Sequence, residues 1–155
     1  MEEKICSFFG HREITVTKEL CATLTAEIKK TVDFGCRTFY FGGYGAFDSL
    51  CYKTVTDIKT DNPFLNLKRI YCVPLEKQLR KRVRYFDPDG YEEVIFLEPS
   101  FGGWYKSIYY RNLAMIDKSD YVIFYAEERK ESGAYKAFKY AKRKKKRVVN
   151  LFNYN

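Results

Sequence analysis

One histidine, one tryptophan, two methionines and four prolines are all that 155 residues contain of those types. Five cysteines occur (Cys6, Cys21, Cys36, Cys51, Cys72), but none forms a C-x-x-C pair. With a single imidazole beside them, the donors for a structural zinc site are missing, and no metal is expected. The odd cysteine count and the lack of a secretory leader pattern point to reduced thiols and a cytoplasmic protein. Three of the cysteines fall inside apolar patterns and read as small core residues. No apolar run is long enough to span a bilayer, so no membrane partner is expected. The pattern G-x-x-x-x-G-K-[ST] is absent, which argues against P-loop hydrolysis of Mg-ATP. A clean G-x-G-x-x-G is absent too, which argues against a dinucleotide redox enzyme, and no cofactor is expected. There is no internal repeat, low-complexity tract or linker, so residues 1–155 read as a single domain.

Aromatic residues and positive charge are plentiful. The aromatic share is 18%, with 14 Tyr and 13 Phe, within an ordinary apolar content of 46%. Tyrosine buries a ring and keeps a polar handle, which suits both cores and stacking sites. The formal charge is +8, favouring anionic partners: nucleotides, nucleic acid or an acidic protein. Part of that excess is the run Lys142-Arg143-Lys144-Lys145-Lys146-Arg147. At a helix C-terminus such cations complement the dipole, and the run reads as a solvated helix end before it reads as a nucleic-acid patch.

Apolar patterning alternates between strand and helix. Strands are expected at 4–9, 37–41, 67–73, 93–97, 121–125 and 147–152. Helices are expected at 17–34, 46–60, 104–116 and 133–145. In the first helix Leu20, Leu24, Ile28 and Val32 recur four apart, with Thr17 as N-cap and Gly35 as stop. In the last, Ala134, Ala137, Phe138 and Ala141 form an apolar stripe. Residues 74–90 lose clear period and read as a short helix plus a loop. Strands separated by helices imply parallel strands with right-handed crossovers. The expected fold is α/β: a three-layer α/β/α sandwich, Rossmann-like, with a mostly parallel sheet.

In such sheets ligands bind at the carboxyl ends of the strands, beside a topological switch point. The strongest signal there is Gly42-Gly43-Tyr44-Gly45-Ala46-Phe47-Asp48, a glycine-rich turn between a strand and a helix. Glycines let backbone approach an anion, and a helix start offers free N–H groups and positive potential. Alone, the turn is equally explained as a tight connection. Gly10-His11-Arg12-Glu13 follows the first strand: Arg12 offers a planar fork for phosphate, and His11 can donate or accept a proton. After the fourth strand come Glu98-Pro99-Ser100-Phe101-Gly102-Gly103, and after the fifth Glu127 to Glu131, then Ser132-Gly133-Ala134 opening the last helix. Asp48 and Glu98 are the carboxylates best placed to accept from a ribose hydroxyl or to act at an anomeric carbon. Asp48 also reads as an ordinary first-turn acid, and Glu98 as a loop cap. Helical spacing alone places Arg111 and Asn112 on a solvated polar face. Tyr105, Tyr109 and Tyr110 read mainly as packing, with room for one stacking role.

With these residues in view, the chain resembles the SLOG superfamily, which includes the LOG phosphoribohydrolases and the Smf/DprA-like proteins. The likeness spans nearly the whole chain. It is nearest to small uncharacterised SLOG-like proteins of bacterial and phage genomes, with their opening like Cys6-Ser7-Phe8-Phe9-Gly10-His11-Arg12. The turn at 42–48 is similar to the family's first phosphate-side loop. Arg111-Asn112-x-x-Met115 before Ser119-Asp120 looks like the Arg-Lys-x-x-Met segment of LOG enzymes, and Ser132-Gly133-Ala134 falls where they carry P-G-G-x-G-T-x-x-E. The glutamate of that second motif has no counterpart in Gly133-Ala134-Tyr135-Lys136-Ala137. The resemblance therefore implies the fold and a nucleotide pocket, but not LOG-type cleavage. SLOG proteins are implied to act as binders or sensors of nucleotide-derived signals, including in phage–host conflict, and to form homo-oligomers.

Three expectations follow. The first is a binding module for a nucleotide-like small molecule, with phosphates on the backbone of residues 43–47 and 133–134. In it Arg12 and Arg111 neutralise charge, and Asp48 accepts from a ribose hydroxyl. Its expected ligand residues are Gly10, His11, Arg12, Gly42, Gly43, Tyr44, Gly45, Phe47, Asp48, Arg111, Asn112, Ser132, Gly133 and Ala134. The second is an N-glycosidase of phosphoribohydrolase type, with Glu98 and Asp48 catalytic. The third, ranked below both, is a single-stranded DNA-binding protein.

Overall fold

The computed structural model describes residues 3–79, 90–97, 103–129 and 132–153. In chain order the elements are β1 (Lys4–Gly10), α1 (Lys18–Phe34), β2 (Cys36–Phe41), α2 (Ala46–Asp61), β3 (Lys68–Cys72), β4 (Glu93–Ile95), α3 (Trp104–Lys118), β5 (Tyr121–Tyr125), α4 (Gly133–Arg143) and β6 (Arg147–Asn150). Short 3-10 turns lie at Pro63–Leu65, Glu76–Leu79 and Leu151–Asn153. No helix among the described residues is long and apolar enough to cross a membrane.

All described strand pairings are parallel, in the order β4-β3-β2-β1-β5-β6. Alternation along each strand sends successive side chains to opposite faces. Phe8, Phe39, Phe41 and Ile123 pack with Leu24 and Ile28 of α1 and Phe47 and Val55 of α2. Their strand neighbours Phe9, Tyr40, Ile70 and Phe124 pack with Met115 and Ile116 of α3 and Ala137 and Ala141 of α4. Both faces are thus covered by helices, which is why the central strands read as near-continuous apolar runs. Each fully buried Phe or Leu contributes about 1.5–3 kcal/mol from apolar burial. The three-layer α/β/α architecture is the one expected.

Thr17 caps α1 by accepting the Leu20 N–H at 3.0 Å, and Gly35 ends it at φ 115°. Other boundaries differ from the sequence reading. β4 has three residues, because Phe96 and Leu97 leave the ladder. β6 stops at Asn150, whose side-chain oxygen accepts from the N–H of both Ala126 and Phe152 and turns the chain into Leu151–Asn153. α4 ends at Arg143 rather than 145. Lys145 adopts a left-handed φ of 58°, and the Lys146 N–H returns to the Ala141 carbonyl, closing the helix. Of the expected irregular region, the structure describes Glu76–Leu79 as a single 3-10 turn; Arg80, Lys81, Arg82 and Arg84 lie outside the described residues. All five cysteines are free thiols, and four are buried.

The chain builds outward from β1 to β4, then crosses back to lay β5 on the other side of β1. The direction of winding reverses between β1 and β5, so their carboxyl ends flank the crevice where such sheets bind ligands.

Candidate ligand site at the carboxyl edge of the sheet

Gly43 and Gly45 take φ values of 78° and 101°, which only glycine adopts without strain, and they turn β2 sharply into α2. The turn folds back on Asp48. One carboxylate oxygen of Asp48 accepts the Gly42 N–H at 3.0 Å, and the other accepts the Gly43 N–H at 3.2 Å. Of the backbone donors expected to meet phosphate, that of Gly43 is therefore engaged by an internal carboxylate. A carboxylate has about four acceptor positions, so each oxygen retains capacity for a further donor such as a sugar hydroxyl. Burial pushes the Asp48 acid up to about 6, against the opposing pull of Arg111 and of the two N–H groups.

Arg12 is exposed and stands beside this turn. Its guanidinium lies over the Tyr44 ring, 4.6 Å from the centroid, and its carbonyl accepts the Ala46 N–H at 2.8 Å. The β1–α1 and β2–α2 loops are thereby clasped together at the start of α2, which has no side-chain cap. Phe47, whose backbone N–H is the group expected at the phosphate, has a fully buried side chain. It occupies the space beside Gly10, where an added Cβ would lie 2.3 Å from the Phe47 ring. Residue 47 thus faces the core, and Gly10 is there to admit its ring.

His11 bridges the switch point. Its backbone N–H donates to the Tyr125 carbonyl at 3.2 Å, and its Nε2 accepts the Glu127 N–H at 2.7 Å. Acceptance at Nε2 places the proton of the neutral ring on Nδ1, which faces Ser132 Oγ at 3.4 Å. Burial, then the nearby Arg129 cation, hold the His11 pKa below its ordinary value, with Glu127 opposing. Ser132 in turn caps α4 by accepting the Tyr135 N–H at 3.2 Å. Gly133 follows with open space on its side-chain side, and Ala134 packs against the α3–α4 core.

Arg111 corrects the helical-spacing reading: it is buried, not on a solvated face. Its Nη1 donates to the carbonyls of Gly42 at 2.9 Å and Cys72 at 3.2 Å, while Nε and Nη2 donate to Asn112 Oδ1. These bonds tie together the carboxyl ends of β2 and β3 behind the glycine turn. The neighbouring carboxylate of Asp48 feels this charge. Helical periodicity missed it because the partners are carbonyls at strand ends distant in sequence.

On the other side of His11 lies a cavity of about 310 Å³ lined by His11, Glu13, Ile14, Thr15, Tyr125, Arg129 and Phe152. Tyr125 is its aromatic centre, touching the rings of His11, Phe47 and Phe152. Sequence reasoning did not single out Tyr125, Arg129 or Phe152. Tyr125 ends a strand beside the switch point, which is the signal that marks it; Phe152 reaches the site only through the turn after β6. Glu98 lies outside the described residues, as do Pro99, Ser100, Phe101, Gly102, Lys130 and Glu131.

The edge so built belongs to a Rossmann-like α/β protein with its topological switch point between β1 and β5. No protein-family model and no curated protein sequence matches the chain. Solved structures share the fold. One is DNA processing protein A from Helicobacter pylori, described for its single-stranded DNA binding mode. It superposes with a TM-score of 0.63 at 16% identity, over 94% of this chain and 63% of that one. This chain thus spans less than two thirds of that protein. Another is the molybdenum cofactor carrier protein from Chlamydomonas reinhardtii, at TM-score 0.60 and 14% identity, over 97% of this chain and 78% of that one.

Proposed function

We propose that this chain binds a nucleotide or nucleotide-derived signalling molecule at the carboxyl edge of its sheet, as a sensor or sequestering protein of SLOG type. The observation that carries the reading is the clasp at the start of α2: a helix N-terminus with no side-chain cap, its Ala46 N–H held by the carbonyl of the exposed Arg12, beside the Asp48 carboxylate. An anion placed there meets the helix dipole and a guanidinium together. The remaining acceptor capacity of Asp48 suits a ribose hydroxyl. The Arg12–Tyr44 stack and the aromatic cavity around Tyr125 offer two surfaces for a planar base.

The test is retention of ligand. Purified protein is incubated with a nucleotide pool including cyclic and ADP-ribose-type compounds, desalted and heat-denatured, and the released molecules are identified by mass spectrometry. One intact compound is expected from the native protein, with at least tenfold less from Arg12→Ala. Free base and ribose phosphate would replace binding by N-glycosidic cleavage, in which Glu98 is the expected acid or nucleophile and Asp48, with its acid raised to about 6, assists. Recovery of nothing would remove the nucleotide reading.

A further inference from the structure

A parallel sheet starts all its strands on one edge, opposite the loops that build the candidate ligand site. The positive charge of this chain collects on that amino edge. From Gly133 to the end there are eight Lys and Arg and no Asp or Glu; the other 20 Lys and Arg are balanced by 20 Asp and Glu. The run 142–147 closes α4 and starts β6, which places it at the amino edge. Helix dipoles account for cations in last turns: Lys59 in α2, Lys118 in α3, Lys142 and Arg143 in α4. They do not account for Lys145 and Arg147, which are exposed beyond the helix. Lys145 adopts a φ of 58°, a left-handed conformation in which glycine is the unstrained residue. The chain thus keeps a cation where its backbone favours glycine. Of the acids on this edge, Asp117 accepts from the Tyr140 hydroxyl, Asp120 from the Ile5 N–H and Glu92 from Arg69.

An apolar ring stands on the same edge. Phe64 is 77% exposed, in the turn Pro63–Leu65 that leads from α2 to β3. The turn is held from both sides. The Leu65 N–H donates to the Asn62 carbonyl at 3.0 Å, the Asn66 N–H to the Pro63 carbonyl at 3.3 Å, and Lys59 Nζ to the Leu67 carbonyl at 2.6 Å. Leu65 packs against the core, and its neighbour Phe64 is left outside. The exposed Lys68 begins β3 just beyond this turn. The starts of β3 and β6 are four strands apart in the sheet, about 19 Å.

We propose that the amino edge of the sheet docks on the face of an anionic lipid bilayer. Phe64 dips into the headgroup boundary, and Lys68, Lys144, Lys145 and Arg147 meet lipid phosphates. Such a contact needs no spanning segment. It needs two weak signals that add, a cationic surface and an apolar residue to insert. A bilayer offers anionic headgroups and an apolar boundary in one plane, so it serves the ring and the cations together. A soluble polyanion serves the cations alone. Docked this way, the carboxyl edge faces away from the membrane and stays open to solvent.

The experiment is co-sedimentation of the full chain with vesicles, across a salt series. Vesicles of equal parts phosphatidylserine and phosphatidylcholine are compared with vesicles of phosphatidylcholine alone. Binding to the mixed vesicles is expected, falling as salt rises, with little to the neutral ones. Lys144→Gln and Lys145→Gln should each weaken it about fivefold. Phe64→Ser should weaken it about tenfold and leave the salt dependence unchanged. Lys145→Gly separates charge from backbone: it should raise the melting temperature while weakening vesicle binding. These are surface positions, and circular dichroism checks their folding. Absence of binding to mixed vesicles at low salt overturns the proposal, as does equal binding to neutral vesicles. It also fails if Phe64→Ser leaves vesicle binding unchanged, or if the lysine variants lose an oligonucleotide but not the vesicles. Conversion of a dimer to a monomer by Phe64→Ser, with vesicle binding intact, would assign the ring to a protein interface instead. Ligand retention at the carboxyl edge should be unchanged in every variant, so the two surfaces stand or fall separately.

Discussion

Asp48 and His11 respond to acid in opposite directions. The Asp48 acid is raised to about 6 from an ordinary 3.8, so between these values the native state holds a proton that the unfolded chain releases. Its contribution therefore favours folding at low pH and is lost as pH rises through that window. The amount is on the order of 3 kcal/mol. Asp48→Asn removes the titration. Thermal unfolding followed from pH 4 to 6.5 should show the native protein losing stability relative to the variant as pH rises. His11 is depressed below its ordinary 6.5, so the unfolded chain takes up a proton that the native ring resists. Its contribution is present above 6.5 and is lost as pH falls below it. A proton on Nε2 would also oppose the Glu127 N–H that this atom accepts. His11→Gln keeps an acceptor without the titration, and its unfolding curve should be flatter between pH 6.5 and 5. An unchanged acid limb would mean that the imidazole is not protonated on unfolding in that range.

The caps of α1 and α4 differ in what they join. Thr17 satisfies one backbone donor of its own helix, whereas Ser132 caps α4 and faces the His11 ring across the switch point. Thr17→Ala should cost about 1 kcal/mol with ligand retention unaffected. Ser132→Ala should cost about as much and also loosen the β5–α4 connection, read as faster amide exchange at Glu127. Equal exchange in both variants would remove Ser132 from the His11 bridge. Thr17 and Gly35 are legible in the sequence because capping is local: the side chain and the backbone group it meets are within a turn of each other. Ser132 is legible as a helix start, but its second neighbour lies far away in the chain.

At the scale of the molecule, Arg111 joins the ends of β2 and β3 to α3. Arg111→Lys loses the planar fork that reaches both carbonyls and Asn112. The expected loss is on the order of 3 kcal/mol, because buried carbonyls lose their donor. A circular-dichroism melt should show it as a drop of several degrees, with any ligand effect secondary. A native melting temperature with lost ligand retention would instead make Arg111 a ligand-binding residue.

The alternation of strands and helices, the parallel sheet, the cap at Thr17 and the turn at 42–48 could all be read along the chain. Each depends on periodicity or on backbone preferences within a few residues. The strand order, the carboxylate of Asp48 filling the turn's own N–H groups, the burial of Phe47 under Gly10 and the bonds of Arg111 could not. Those follow from contacts between strand ends that the chain brings together only when the sheet closes. A residue's type announces what it can bond to; which partner is within reach is decided by the packing of elements remote in sequence.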